Sequence, residues 1–303
     1  MPESKSKTIV QLILSHPLFL FVVGLFCTAG IMIAGAASIG KIIPFIGLAG
    51  NPLGFLLAAS VTAAACVLGY YLFTRFIEQR PFADFGLDRA IPEFGYGLAV
   101  GALVMAAVVA VIAAFGGYKI VGYNLSSTVV IETLAIAIIS GIPEEILLRG
   151  LAFRFLEKWL GSIAALSLSA LLFGFLHISN PNASAFAATA IAIEAGILLG
   201  AIYMVTRRLW AAIGLHMAWN SVQGGVFGIK VSGTDVKGLI VSQPSGSDWI
   251  TGGLFGAEAS IPALVICTAI GLYFLWRAYD EDKFVLFSWH RFKTGEAEPT
   301  VTI

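Results

Sequence analysis

In the stretch SGIPEEILLRG, Ser140 to Gly150, two adjacent carboxylates and an arginine interrupt a run of apolar residues. At the centre of a membrane-spanning helix each such charge costs roughly 2.5–3.5 kcal/mol on insertion scales, so side chains kept there are expected to have a use. On a helix Glu145 and Arg149 stand at i and i+4 on one face, whereas Glu144 is turned about 100° from its neighbour. Arg149 favours an ionised Glu145, and desolvation acts on an unpaired Glu144, so the two carboxyls are expected to play different parts. Glu144 then suits general-base chemistry. The triplet also fits a plainer reading, a buried ion pair that sets one helix against its neighbours.

Three more polar side chains stand in apolar surroundings further along. His177 closes FGFLH, with Phe173 one helical turn before it, and HMAWN places His216 and Asn220 at i and i+4 on one face. A turn near Leu160 lies 16 residues after Glu144 and 17 before His177, which sets the two level in an antiparallel hairpin. His216 and Asn220, eight and twelve residues past Arg208, fall in the same layer, about 12–18 Å from the inner surface at 1.5 Å per residue. A carboxylate level with an imidazole can hold and deprotonate water, while a second imidazole and an amide can donate to the oxyanion formed at a carbonyl. These are the parts of a peptide hydrolase. A satisfied core histidine and an asparagine that ties helices together are the structural alternatives.

No serine has glycine two residues before it, no histidine is followed by glutamate, and no Gly-Asp pair occurs, which disfavours serine, zincin and aspartyl intramembrane proteases. Glu144, His177 and His216 could also form a His2Glu set with an open water position for a divalent metal such as zinc. Glu194 could face the same layer or pair with Arg149 or a histidine. The G-x-x-x-G spacing of Gly196 and Gly200 points to close helix packing there and favours a structural role for it.

The elements that must carry these groups are transmembrane helices. Of 303 residues 58% are hydrophobic and only 12% charged, and the mean hydropathy is +0.90; about 25% charged is usual in soluble chains. The formal net charge is +0, so nothing points to nucleic acid. The expected architecture is an all-α, polytopic membrane bundle of about eight helices: Pro17 to Gly40, Asn51 to Thr74, Phe94 to Tyr118, Thr133 to Trp159, Gly161 to Asn180, Ala183 to Thr206, Leu209 to Ile229 and Ala259 to Trp276.

With both termini in the cytoplasm, Lys5, Lys7, Arg75, Arg80, Arg89, Arg149, Arg154, Lys158, Arg207, Arg208, Arg277, Lys283, Arg291 and Lys293 lie inside, against Lys41, Lys119, Lys230 and Lys237 outside. The positive-inside rule expects such a split even after Arg149 is discounted as intramembrane, and the cell (inner) membrane is the expected location. Residues 1–16 form an inner N-terminal segment, 17–279 one membrane domain, and 280–303 an inner tail. The apolar run from Pro17 is too long for a signal-peptide core. The one long connection is the outer loop GTDVKGLIVSQPSGSDWITGGLFGAE between the last two helices. Cys27, Cys66 and Cys267 are far apart in apolar runs and read as core residues.

EEILLR (Glu144 to Arg149), FGFLH (Phe173 to His177) and HMAWN (His216 to Asn220), in this order on successive helices, resemble the E-E-x-x-x-R, F-x-x-x-H and H-x-x-x-N/D motifs of the CAAX prenyl endopeptidase and bacteriocin-processing intramembrane protease family. The resemblance covers about Glu132 to Gly228, roughly a third of the chain, and the outer TGGLFGAEAS looks like bacterial members as well. It implies a helical membrane endopeptidase with a protease core at about 132–228, acting on membrane-tethered peptides or prenylated proteins in the bilayer. Glu144 with His177 would activate water, His216 and Asn220 would stabilise the oxyanion, and Glu145 with Arg149 would support the site. The family is often labelled metalloprotease, and a glutamate-dependent mechanism fits these positions equally. A proton-coupled transporter is the alternative from intramembrane acid and imidazole groups, and a non-catalytic immunity or scaffold protein is another.

Overall fold

The computed structural model describes residues 9–289. Lys5, Lys7, Arg291 and Lys293, all assigned to the inner side, lie outside the described residues, as does the expected tail beyond residue 289.

Side-chain caps set where the first long helices begin. After α1 (Ile9–Ser15), His16 Nδ1 accepts from Leu18 N–H at 3.2 Å and Pro17 takes the first position of α2 (Pro17–Phe45). Asn51 Oδ1 accepts from Leu53 N–H at 2.9 Å ahead of Pro52, and α3 (Pro52–Leu72) follows. In both, a capping acceptor precedes a proline that has no amide hydrogen to satisfy. The chain continues through α4 (Ala90–Ala114), α5 (Ser127–Glu145), α6 (Arg154–Leu160), α7 (Ser162–Leu176), α8 (Ala185–Ile191), α9 (Ile197–Thr206), α10 (Trp210–Asn220), the short α11 (Asp248–Thr251) and α12 (Ile261–Asp280). Wider π turns extend or join several of them: Phe73–Ile77 after α3, Ile146–Phe153 between α5 and α6, Ala192–Gly196 between α8 and α9, and Ser221–Val226 after α10.

The outward faces are apolar. Phe26, Ile33, Leu103, Leu171, Phe175 and Val265 are all more than 60% exposed, a coat that water would not tolerate and lipid does. Among the described residues six helices are long and apolar enough to cross a bilayer: Pro17–Phe45, Pro52–Ile77, Ala83–Ala114, Ser162–Ser179, Ala185–Thr206 and Ile261–Asp280. The fourth and seventh expected spans are continuous helix over residues 127–160 and 210–226 but are not among these six. They are the two that carry Glu144, Glu145 and Arg149, and His216 and Asn220. Buried inside the bundle, they need not present an apolar surface all round.

One element is not helical. β1 (Tyr118–Tyr123) pairs antiparallel with β2 (Ile240–Pro244), with an irregularity between Ile120 and Gly122. β2, α11 and a 3-10 turn at Ala257–Ala259 give structure to the long connection expected only as a loop. Aromatic and β-branched residues in both strands favour this ribbon.

α10 packs against α4 and α5, and α12 against α9. The G-x-x-x-G spacing brings α7 close: a Cβ on Gly196 would lie 2.7 Å from that of Ala170, and one on Gly200 2.5 Å from Leu166 Cδ1. Cys66 and Cys267 are buried, Cys27 partly so, and all three are free.

Charges expected on the inner side meet at one end. Arg154 donates to Glu78 at 2.6 and 2.8 Å, Arg207 to Glu157 at 2.5 Å and Arg208 to Glu93 at 2.6 Å, tying together turns far apart in sequence, and Arg80 donates to Asp84, four residues on, at 2.5 Å. Burial alone would push the Glu78 carboxyl up, but the hydrogen bonds and charge of Arg154 and Arg80 outweigh it and hold the group below the usual carboxylate range. Gly161, at φ 83°, makes the α6–α7 turn, and Ser162 exchanges hydrogen bonds of 2.8 Å with the backbone of Val285 as the chain returns from α12.

Candidate active site

α5 ends on the acidic pair. Glu145 Oε1 accepts from Arg149 Nη1 at 3.0 Å, the expected i, i+4 pair, and the same oxygen lies 2.9 Å from Nδ1 of His216 on α10. Arg149 is 1% exposed and Glu145 fully buried. The guanidinium is held further by the Gly196 carbonyl at 3.1 Å and by the Phe173 ring, 5.0 Å from its carbon to the centroid. An arginine that deep needs every one of these partners, because an unmatched buried charge costs several kcal/mol.

Glu144 faces elsewhere, as the helical turn requires. Its side chain is 35% exposed, and Oε2 lies 3.9 Å from His216 Nε2, beyond direct hydrogen-bond reach. His177 begins a 3-10 turn that closes α7, and its Nδ1 lies 2.8 Å from the Phe173 carbonyl. A carbonyl can only accept, so Nδ1 carries the proton and Nε2 is the nitrogen left with a lone pair in the neutral ring. Asn220 Nδ2 donates to Ser140 Oγ at 2.7 Å, one turn before the acidic pair, leaving its second N–H for another acceptor.

His177, His216 and Asn220 line one cavity of about 30 Å³ together with Phe173, Trp219 and Leu215. Holding a water takes about 10–15 Å³ and two to four polar partners. Glu144 stands beside this wall, reached through His216. The sequence-predicted residues are thus brought together from α5, α7 and α10, with Glu145 and Arg149 behind them.

Glu194 also lines the cavity, is fully buried, and neither of its oxygens has a hydrogen-bond partner among the described residues. The pairing with Arg149 or a histidine allowed by the sequence is therefore not made. Arg149 instead takes backbone carbonyls of the π turn that carries Glu194. Residues missed in the sequence are Ser232 and Glu258 on the far wall, with Gln223 behind them. Glu258 stands in the TGGLFGAEAS stretch, just ahead of α12, where an acidic residue reads as interfacial. Gln223 has no charge to draw attention. The three π turns at 146–153, 192–196 and 221–226 all adjoin or contain these side chains, and π turns concentrate at functional sites.

Among the described residues no group of three His, Cys, Asp or Glu side chains is placed to hold a metal ion.

Residues 126–222 match the family described as type II CAAX prenyl endopeptidase, Rce1-like. Over this third of its length the chain is similar to the CAAX prenyl endopeptidase family. The match runs from the Ser126 cap of α5 into the π turn after Asn220, and so takes in every CAAX-endopeptidase motif residue described above, while Gln223, Ser232 and Glu258 lie beyond it. No curated protein and no solved structure matches the chain.

Proposed function

We propose that this protein is an intramembrane endopeptidase that hydrolyses peptide bonds of membrane-tethered or prenylated substrates with a water activated by Glu144 and His177. The observation that carries the reading is the convergence of His177, His216 and Asn220 on one buried cavity, with Glu144 Oε2 3.9 Å from His216 Nε2. That separation is what one bridging water spans. Water held there gives its proton to Glu144, with His177 Nε2 as a second acceptor, and its oxygen attacks the substrate carbonyl. His216, protonated at Nε2 while its Nδ1–H stays on Glu145, and the free N–H of Asn220 donate to the oxyanion. Collapse of the tetrahedral intermediate breaks the C–N bond, and the proton taken from water passes to the departing amine.

Glu145 does not react in this scheme. It fixes the His216 ring through Nδ1 and leaves Nε2 for chemistry, while Arg149 holds Glu145 in place. We place both termini on the cytoplasmic side, by the distribution of Lys and Arg. The test uses purified protein in nanodiscs with a fluorogenic prenylated CAAX-type peptide. Glu144→Gln is expected to lower turnover by roughly 10²–10⁴-fold, the usual contribution of general acid–base catalysis. Undiminished cleavage by that variant would refute the assignment.

A further inference from the structure

Glu258 is a buried carboxylate that the scheme above does not use. It is 3% exposed, stands in the 3-10 turn that leads into α12, and lines the cavity opposite His216 and Asn220. Its Oε1 accepts from Ser232 Oγ at 2.5 Å and its Oε2 from Gln223 Nε2, which also donates to the Lys230 carbonyl at 2.6 Å. Gln223 belongs to the π turn that continues α10 directly from Asn220. Three separate segments, at 223, 230–232 and 258, are therefore closed onto one carboxylate. The backbone fits the same closure: Gly233 N–H donates to the Phe255 carbonyl at 2.6 Å, and Gly256, at φ 122°, has no room for a Cβ, which would fall 2.1 Å from the Lys230 carbonyl.

The same carboxylate shares the cavity with His177, whose Nδ1 is already engaged by the Phe173 carbonyl. Only Nε2 of that ring is left to respond. We propose that Glu258 is a positioning residue for the cavity: its negative charge orients His177 with Nε2 inward, and its clasp on Gln223 and Ser232 holds the outer wall against the reacting layer. The kinetic part of this inference rests on the proteolytic reading; the orientation of His177 does not.

A purely structural Glu258 and a positioning one part company in Glu258→Gln, which keeps the size, removes the charge and lets its oxygen still accept from Gln223 while its new N–H donates to the Ser232 hydroxyl oxygen. The decisive measurement is the ring-nitrogen NMR spectrum of histidine-labelled protein in nanodiscs, assigned with His177→Gln. Glu258→Gln is expected to move the His177 ring resonances and leave the melting temperature within a few degrees of wild type, and Glu258→Asp to restore much of the wild-type spectrum. With peptide substrate, Glu258→Gln is expected to lower kcat roughly 10–100-fold with KM nearly unchanged, the scale of a small misplacement of a reacting group. An unmoved His177 spectrum in a folded Glu258→Gln overturns the proposal, as does full kcat in that variant where Glu144→Gln is inactive. Should wild-type protein cleave nothing, the proteolytic reading fails, and the His177 spectrum alone then sustains or overturns the positioning role. Should Glu258→Gln fail to fold, Ser232→Ala and Gln223→Leu carry the same readout, and a wild-type His177 spectrum in both overturns it.

Discussion

Glu145 Oε1 lies 2.9 Å from Nδ1 of His216, 71 residues further along the chain, and 3.0 Å from Nη1 of Arg149 one turn below it. One oxygen thus joins α5 to α10 and neutralises an arginine that no solvent reaches. The acidic pair divides accordingly: Glu145 joins the two helices, whereas Glu144 is 35% exposed and its Oε2 stands 3.9 Å from His216 Nε2.

Removing the joint should be costly for the fold. Glu145→Ala leaves Arg149 buried and uncompensated, for which about 3–5 kcal/mol is the usual loss. Thermal unfolding in detergent should show a large drop for Glu145→Ala. Glu144→Gln, which leaves the Glu145–Arg149 pair intact, should lose much less, within about 1 kcal/mol of wild type. Equal melting temperatures for the two variants would contradict the division of roles.

Asn220 is expected to matter through its free N–H. Asn220→Ala should lower kcat by roughly 10²–10³-fold with KM little changed, the cost of one oxyanion donor. Ser140→Ala removes the partner of the other N–H, 2.7 Å away, and should cost about 1 kcal/mol of stability while lowering kcat less. Wild-type turnover in Asn220→Ala would remove the amide from the mechanism.

Acid should loosen the Arg154–Glu78–Arg80 cluster first. The Glu78 carboxyl is held below the usual range in the folded protein, so folding favours the ionised form. That stability is fully present above the ordinary value of about 4.3 and is lost as pH falls through the depressed folded value. Melting temperature measured against pH should therefore decline below about pH 4.3. Glu78→Gln should melt lower at neutral pH and show a shallower acid limb, and an unchanged limb would count against the Arg154–Glu78–Arg80 cluster as its source.

The FGFLH segment has no space for a larger residue at its glycine. A Cβ on Gly174 would lie 2.2 Å from the Ala188 carbonyl and 2.7 Å from Ala192 Cβ, so Gly174→Ala must push α8 off α7 three residues before His177. Overpacking of this kind costs about 1–3 kcal/mol. A lowered melting temperature together with reduced turnover is expected, and wild-type values of both would show that the two helices part without consequence.

What the sequence by itself determined is local. Apolar runs of membrane-spanning length, the i, i+4 pair of Glu145 and Arg149, the Asn220 face beside His216 and the close packing at Gly196 and Gly200 all follow from one helical period and one hydrocarbon thickness, and each is legible along a single segment. The match in depth between Glu144 and His177 could be counted from one turn. The partners across helices could not: Glu145 with His216, Asn220 with Ser140, and Glu258 with Gln223 and Ser232 depend on rotations and offsets between helices that no single period sets. The π turns beside the site shift the helical phase at these points, so a count of 100° per residue misdirects the side chains that follow. The long connection between α10 and α12 is the extreme case, because Glu258 joins the cavity only when β1–β2 pairing and the turn into α12 fold the chain back over it. Packing alone decided that an interfacial glutamate became a wall of the buried site.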